Sequence, residues 1–237
     1  MSLKQSTIGE IVSDNFHAAG VFKEYGIDFC CGGGKLLSDV CESKNIPFDE
    51  VADKLKEAPW VNRTSGDNYN DWSPDFLVDY IINTHHTFVR KKSDEMAGYA
   101  AKVAKVHGEQ HPENVEIFKK FIALSNELME HLNEEESRVF PLIKKMYRKR
   151  QSGLKPDESE IMELKAVLSQ MVDEHEVAGS LMADIRELSN EFTPPQDACA
   201  TYRILYQNLA GFEEDLHKHV HLENNILFKK MERLIAA

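Results

Sequence analysis

Two stretches decide the architecture: His131-Leu132-Asn133-Glu134-Glu135 and His219-Val220-His221-Leu222-Glu223. In each, a histidine is followed one helical turn later by a glutamate. Residues four apart on a helix share a face, with about 5–6 Å between their Cβ atoms. Both pairs sit inside apolar stripes at helical spacing. Phe121, Leu124, Leu128, His131, Glu135, Val139 and Leu142 form one stripe, and Phe212, Leu216, His219, Glu223 and Ile226 form another. Two further stripes each carry one histidine: Leu164, Leu168, Met171, His175, Met182 and Ile185, and Val78, Ile82, His86, Val89 and Met96. Stripes of this kind face a core.

Prolines punctuate the four patterns. Pro74, Pro112, Pro156 and Pro194 each stand where a long pattern begins, a position in which the missing N–H is not needed. The reading gives helices over 74–106, 112–149, 156–190 and 194–235, each roughly 45–60 Å long by the helix rise. Thr193, Pro194 and Gln196 read as a capping box with proline at its first helical position. Pro141 falls inside the second helix and predicts a kink there. Long helices with short connections make an up-down four-helix bundle, and the expected fold is all-α. His86 to His131 is 45 residues and His175 to His219 is 44, so the bundle reads as two hairpins of similar plan.

Upstream, the stretch 58–73 has little helical periodicity and many turn formers, and it reads as a linker. It separates a small helical N-terminal domain, 1–57, from the bundle, 74–237. Thr7 and Glu10 form a capping-box pattern, and Gly26 reads as a helix stop. Asp28-Phe29-Cys30-Cys31-Gly32-Gly33-Gly34 then reads as a turn whose glycines allow close backbone approach. Cys30 and Cys31 are candidate redox thiols, able to pass electrons, form a strained disulfide or ligate a metal. The plain alternative is two small buried hydrophobes. Two thiols are too few for a closed all-thiolate site. Cys41 and Cys199 have no partner in the sequence and read as structural.

Composition bounds the function. The 237 residues carry 40 acidic and 28 basic side chains, a formal charge of −12. That excludes the basic footprint of a nucleic-acid binder. No apolar run approaches the roughly 18 residues of a membrane span. The first ten residues contain no secretory apolar core. With only 4 cysteines, the chain is no disulfide scaffold, and a cytoplasmic protein with reduced thiols is expected.

The histidines and glutamates carry the chemistry. A single His-x-x-x-Glu is commonly a surface ion pair. Two glutamates buried on apolar stripes without partners, however, would be expensive. Four imidazoles (His86, His131, His175, His219) and two carboxylates (Glu135, Glu223) fit two metal ions, each held by two histidines and bridged by both glutamates and an oxo or hydroxo group. Iron, manganese and zinc all accept this N/O set. Helical phase barely separates His85 from His86. His217 and His221, two residues either side of His219, should point outward into solvent. His17, His107 and His111 lie off the stripes. Glu127 and Glu174 could line the site, though solvated carboxylates are the simpler reading.

These motifs carry a family resemblance. The segments GIDFCCGGG, HLNEEESRVFP, DEHEVAG, TPPQDAC and HVHLENNILF resemble the repair of iron centres (RIC) family over essentially the whole chain. The resemblance implies a hemerythrin-like bundle holding two non-haem iron ions. It implies His86, His131, His175 and His219 as terminal ligands, with His86 favoured over His85, and Glu135 and Glu223 as bridges. It further implies restoration of iron–sulfur clusters damaged by nitric oxide or peroxide, with damaged iron–sulfur proteins as clients and nitric oxide or O2 as small ligands. A homodimer would give the small N-terminal domain more core. Alternatives are an enzyme reducing nitric oxide at the two irons, a reversible O2 or NO binder, and a helical interaction protein using metal only for stability. One departure is LFKK where the family often has LFP after the last ligand motif.

Overall fold

The computed structural model describes residues 3–58 and 68–236. Much of the stretch read as a linker, 59–67, lies outside the described residues. Every extended regular element among the described residues is helical, and none of the helices is long and apolar enough to cross a membrane. The chain clusters into two compact units. One comprises Met1–Val78, Met146–Pro156 and Lys218–Ala237, the other Asp79–Lys145 and Asp157–His217.

The second unit is a helical bundle. Its helices are α6 (Thr87–His107), α7 (Glu113–Glu134), α9 (Glu158–Leu188) and the greater part of α10 (Ala200–His221). α7 packs against both α6 and α9. Phe212 of α10 meets Phe121 edge-on at 5.7 Å and Phe88 at 6.1 Å between ring centroids. Apolar burial of this kind carries the bundle; truncating a ring such as Phe212 to alanine would cost about 3–5 kcal/mol. One buried ion pair ties α9 to α10. Glu213, 2% exposed, accepts from Arg186 Nε at 2.7 Å and from Nη2 at 2.5 Å. This two-pronged geometry satisfies both charges, as burial requires.

α9 starts at a full capping box, with Asp157 and Glu160 exchanging backbone and side-chain hydrogen bonds. The fourth long helix begins later than expected, at Ala200 and not at Pro194. The cause is the exit from α9. Asn190, Glu191 and Phe192 all take positive φ, at 49°, 56° and 57°. Such backbone is unfavourable for a bulky residue, and the Phe192 ring is held by the Arg186 guanidinium 5.2 Å from its centroid. Thr193 N–H is then bonded to Ser189 and Asn190 carbonyls, so Thr193 ends a turn and does not cap a helix. Cys199 takes the cap position, its carbonyl accepting from Arg203 N–H at 3.1 Å.

Three π-helical turns interrupt the long rods, at Ile82–His86, Glu135–Val139 and Leu222–Leu227. Each contains one of the six candidate ligands. A π turn inserts one extra residue and rotates everything beyond it by about 100° relative to a regular helix. The second π turn falls just before Pro141, where the sequence predicts a kink. Phe140 N–H bonds to Glu135 C=O, and α8 (Phe140–Gln151) resumes with Pro141, which has no N–H to give.

The first unit holds the short helices α1 (Ile8–Asp14), α2 (Ala18–Glu24), α3 (Leu37–Ser43) and α4 (Phe48–Glu57). The expected capping box at Thr7 and Glu10 is present. α5 (Pro74–Ile81) begins here, and α11 (Phe228–Ala236) ends the chain. The π-helical turn Leu222–Leu227 packs on α1 and on the glycine turn Gly32–Gly34. Asn225 is the closest point. Its Nδ2 donates to Phe29 O at 3.2 Å and Cys30 O at 3.1 Å. A Cβ placed on Gly9 or on Gly33 would collide with its amide.

Two predictions follow from this packing. Gly9→Ala should lower stability by about 1–3 kcal/mol through overpacking, and the loss should shrink in an Asn225→Ala background; a urea-denaturation cycle of the four proteins reads this. The second concerns His111 and Asp197. Their hydrogen bond, 3.1 Å long, raises His111 above its ordinary 6.5 and lowers Asp197 below its ordinary 3.8. The stabilisation from the histidine is full below pH 6.5 and is lost as pH rises through the raised value. The stabilisation from the carboxylate is full above pH 3.8 and is lost as pH falls through the lowered value. A double-mutant cycle with His111→Gln and Asp197→Asn should therefore show larger coupling near pH ~5.5 than near pH ~8.5.

Candidate metal centre

The bundle unit gathers four of the candidate residues. His86 closes the first π turn, His131 lies on α7, Glu135 opens the second π turn, and His175 lies on α9. All are buried, with exposures of 1%, 5%, 0% and 2% in that order. Glu135 Oε2 stands 3.3 Å from His86 Nε2 and 3.5 Å from His131 Nε2. His131 Nε2 is 2.9 Å from His175 Nε2. The ligand atoms of His131, Glu135 and His175 lie within 4.8 Å of one another.

The outward nitrogens explain what the inward ones can do. His86 Nδ1 is 2.8 Å from Glu136 Oε1, and His131 Nδ1 is 2.7 Å from Glu174 Oε2. A carboxylate only accepts, so each Nδ1 carries the proton and each Nε2 presents a lone pair inward. Burial opposes the charge of Glu136, but hydrogen bonds from His86 and Arg90 outweigh it and hold the carboxyl below its ordinary value. Glu174 behaves alike, with burial opposed by His131 and Gln170. Glu135 thus meets lone pairs, not N–H groups, at His86 and His131. Neither oxygen of Glu135 accepts a hydrogen bond from the described residues. A fully buried carboxylate without donors is several kcal/mol unfavourable unless a cation supplies the missing charge. Ligands bound at about 2.0–2.2 Å to one ion stand roughly 3–3.5 Å apart, the spacing found here. The donor set therefore fits a metal ion of the borderline N/O class.

In the other unit, His219 at the end of α10 and Glu223 in the third π turn are both buried, with Nε2 to Oε1 at 2.9 Å. This places the second His-x-x-x-Glu pair on one helix face, as its spacing requires.

The remaining candidates separate. His85 is buried, but its Nδ1 is held by Asp215 Oδ1 at 2.9 Å. Glu127 is exposed, and Glu134 pairs with Arg138 on the outer side of α7. Glu174, read as a solvated carboxylate, instead fixes the ring of His131. Glu136 plays the same part for His86 and has no signal in the stripe pattern, since it lies one residue off phase.

His221 corrects the sequence reading. Expected in solvent, it is 1% exposed. Its ring lies 5.9 Å from Phe16 and 6.0 Å from Phe29, so the N-terminal helices cover the face that periodicity assigned to water. Burial pushes its imidazole down to about 3, so the ring is neutral. Cys199, read as structural and partnerless, is exposed with Sγ 3.2 Å from His107 Nε2. Cys41 is buried, as that reading expected. Cys30 is buried and Cys31 partly exposed, with sulfurs 3.9 Å apart and no disulfide.

The outer carboxylates give a test. Glu136→Gln and Glu174→Gln should each weaken metal affinity about 10–100-fold without unfolding the bundle, measured by competition with a chelator of known affinity.

Comparison with known proteins places the chain by family. The family described as the hemerythrin HHE cation binding domain matches residues 77–231. The family named for the ScdA N-terminus, described as a domain of unknown function (DUF542), matches residues 4–59. The iron-sulfur cluster repair protein ScdA of Staphylococcus haemolyticus is 33% identical, over 97% of this chain and 99% of its own length. A probable iron-sulfur cluster repair protein of Haemophilus influenzae is 32% identical, over 98% of each chain. The iron-sulfur cluster repair protein YtfE of Pectobacterium atrosepticum is 31% identical, over 98% of this chain and 99% of its own length. With both family segments in the same order and relatives matched nearly end to end, the chain belongs to the ScdA/YtfE family of hemerythrin-like proteins.

Proposed function

We propose that this chain restores damaged iron–sulfur clusters through a centre of two iron ions. His86, His131, His175 and His219 would be the terminal ligands, and Glu135 and Glu223 the bridges. The observation that carries the reading is Glu135, with no exposed surface, no hydrogen-bond donor among the described residues, and two imidazole nitrogens at 3.3 and 3.5 Å. The repair role comes from relatives that bear that name over their whole length.

When bound, the two ions supply a change of oxidation state and open coordination positions for a small ligand such as nitric oxide or O2. The chain's own residues do the rest. Glu136 and Glu174 hold the rings of His86 and His131 in the tautomer that points a lone pair inward. Phe140 stacks on His86 at 5.5 Å and excludes water from that side. Iron leaving for a damaged cluster is cargo in this reading; Cys31 is the thiol that reaches the surface toward a client protein, with Cys30 buried beside it.

The test has two stages. Protein purified from iron-replete cells should carry two irons per chain with near-ultraviolet charge transfer, and Glu135→Ala should lose both. The wild type, and not the variant, should then reactivate an iron–sulfur dehydratase inactivated with nitric oxide. Folded wild-type protein without metal, or one zinc ion unaffected by the substitution, overturns the two-iron assignment.

A further inference from the structure

The turn bearing the two cysteines has features that the histidine and glutamate centre does not use. Asp28, Cys30 and Cys31 each offer a ligand atom within 4.8 Å of the others. Cys30 Sγ is 3.1 Å from Asp28 Oδ1 and 3.9 Å from Cys31 Sγ. Two thiolates on one tetrahedral ion, with bonds of about 2.3 Å, stand about 3.8 Å apart. The sulfurs are therefore already at ligating separation.

The turn is held on both sides. Asp28 accepts backbone N–H groups from Cys30 at 2.9 Å, Cys31 at 3.1 Å and Gly32 at 2.8 Å. From the other side Asn225 Nδ2 grips the carbonyls of Phe29 and Cys30. The glycines at 9 and 33 leave room for that side chain. Cys30 is buried and Cys31 reaches partly to the surface, which leaves one side of the group accessible. The Cys30 thiol is held well above its ordinary value by the hydrogen bond with Cys31, then by burial and the charges of Cys31 and Asp28. A cation would relieve all three.

We infer that Asp28, Cys30 and Cys31 form a second metal site, which takes a single thiophilic divalent cation with three protein ligands and one open position. Two thiol protons leave as the ion enters, and the ion replaces the S–H contact to Asp28. The ligand set is two sulfurs and one oxygen, so it suits iron(II) or zinc(II) and selects against magnesium and calcium. Its use as a way station for iron cargo rests on the repair reading; its capacity to bind does not. Asn225 is a positioning residue for it, acting through the backbone of the turn.

Cobalt(II) is the probe, because thiolate-to-cobalt charge transfer reports sulfur ligation directly. The full chain is used, with its cysteines reduced and its histidine and glutamate centre already loaded with iron. The band should saturate at one cobalt per chain and be absent from Cys30→Ser and Cys31→Ser. Asp28→Asn and Asn225→Ala should each weaken cobalt binding by on the order of tenfold. Glu135→Ala, titrated without iron loading, should keep the thiolate band, which separates failure here from failure of the two-iron reading. No band in the wild type, a band that survives Cys30→Ser, or saturation at half an equivalent per chain each overturns the site.

Discussion

A carboxylate with no exposed surface must be met by donors or by positive charge, and at Glu135 the nearest groups are imidazole nitrogens whose protons are held elsewhere. That one requirement organises the bundle. His86 and His131 can present lone pairs inward only because Glu136 and Glu174 take their Nδ1 protons on the outer side. Those glutamates stay ionised because hydrogen bonds from their partners outweigh the burial that opposes their charge. The apolar stripes then surround the polar cluster and keep water out, which makes the unmet charge of Glu135 expensive.

The π-helical turns belong to the same logic. A regular helix presents neighbours 100° apart, so it cannot easily point adjacent side chains at one core. The turn Ile82–His86 buries both His85 and His86, one for Asp215 and one for Glu135. The turn Leu222–Leu227 takes part in a run from His219 to Asn224 that is buried at every position. Such turns forgo regular hydrogen bonding and are commonly found at functional sites. Elsewhere the long helices are regular, and ion pairs such as Arg186–Glu213 fix their neighbours.

Much of this was legible in the residues. His131 with Glu135 and His219 with Glu223 lie four apart on apolar stripes, and that spacing foretells the burial of both pairs. The proline breaks located the bundle helices, because proline interrupts helices for a local steric reason. What escaped was tertiary or sub-helical. Periodicity assumes that the face opposite a stripe meets water, so it sent His221 outward, whereas Phe16 and Phe29 cover it. A π turn has no residue signature of its own, so Glu136 fell off phase. The start of α10 was misplaced because three consecutive left-handed residues cannot be anticipated from Asn190-Glu191-Phe192, of which only the first favours that backbone. Glu174 looked like any surface acid on a chain of charge −12.

The grip of Asn225 between Gly9 and Gly33 bears on how such chains are inherited. Two family segments, 4–59 and 77–231, match separately and suggest interchangeable cassettes. Yet an amide near the end of one segment occupies space that only glycines in the other leave open. A chimera that joined this N-terminal segment to an unrelated bundle would leave the cysteine turn unbraced. The two glycines and the asparagine are therefore expected to be exchanged as a set, and recombination within the family should be tolerated only where all three travel together.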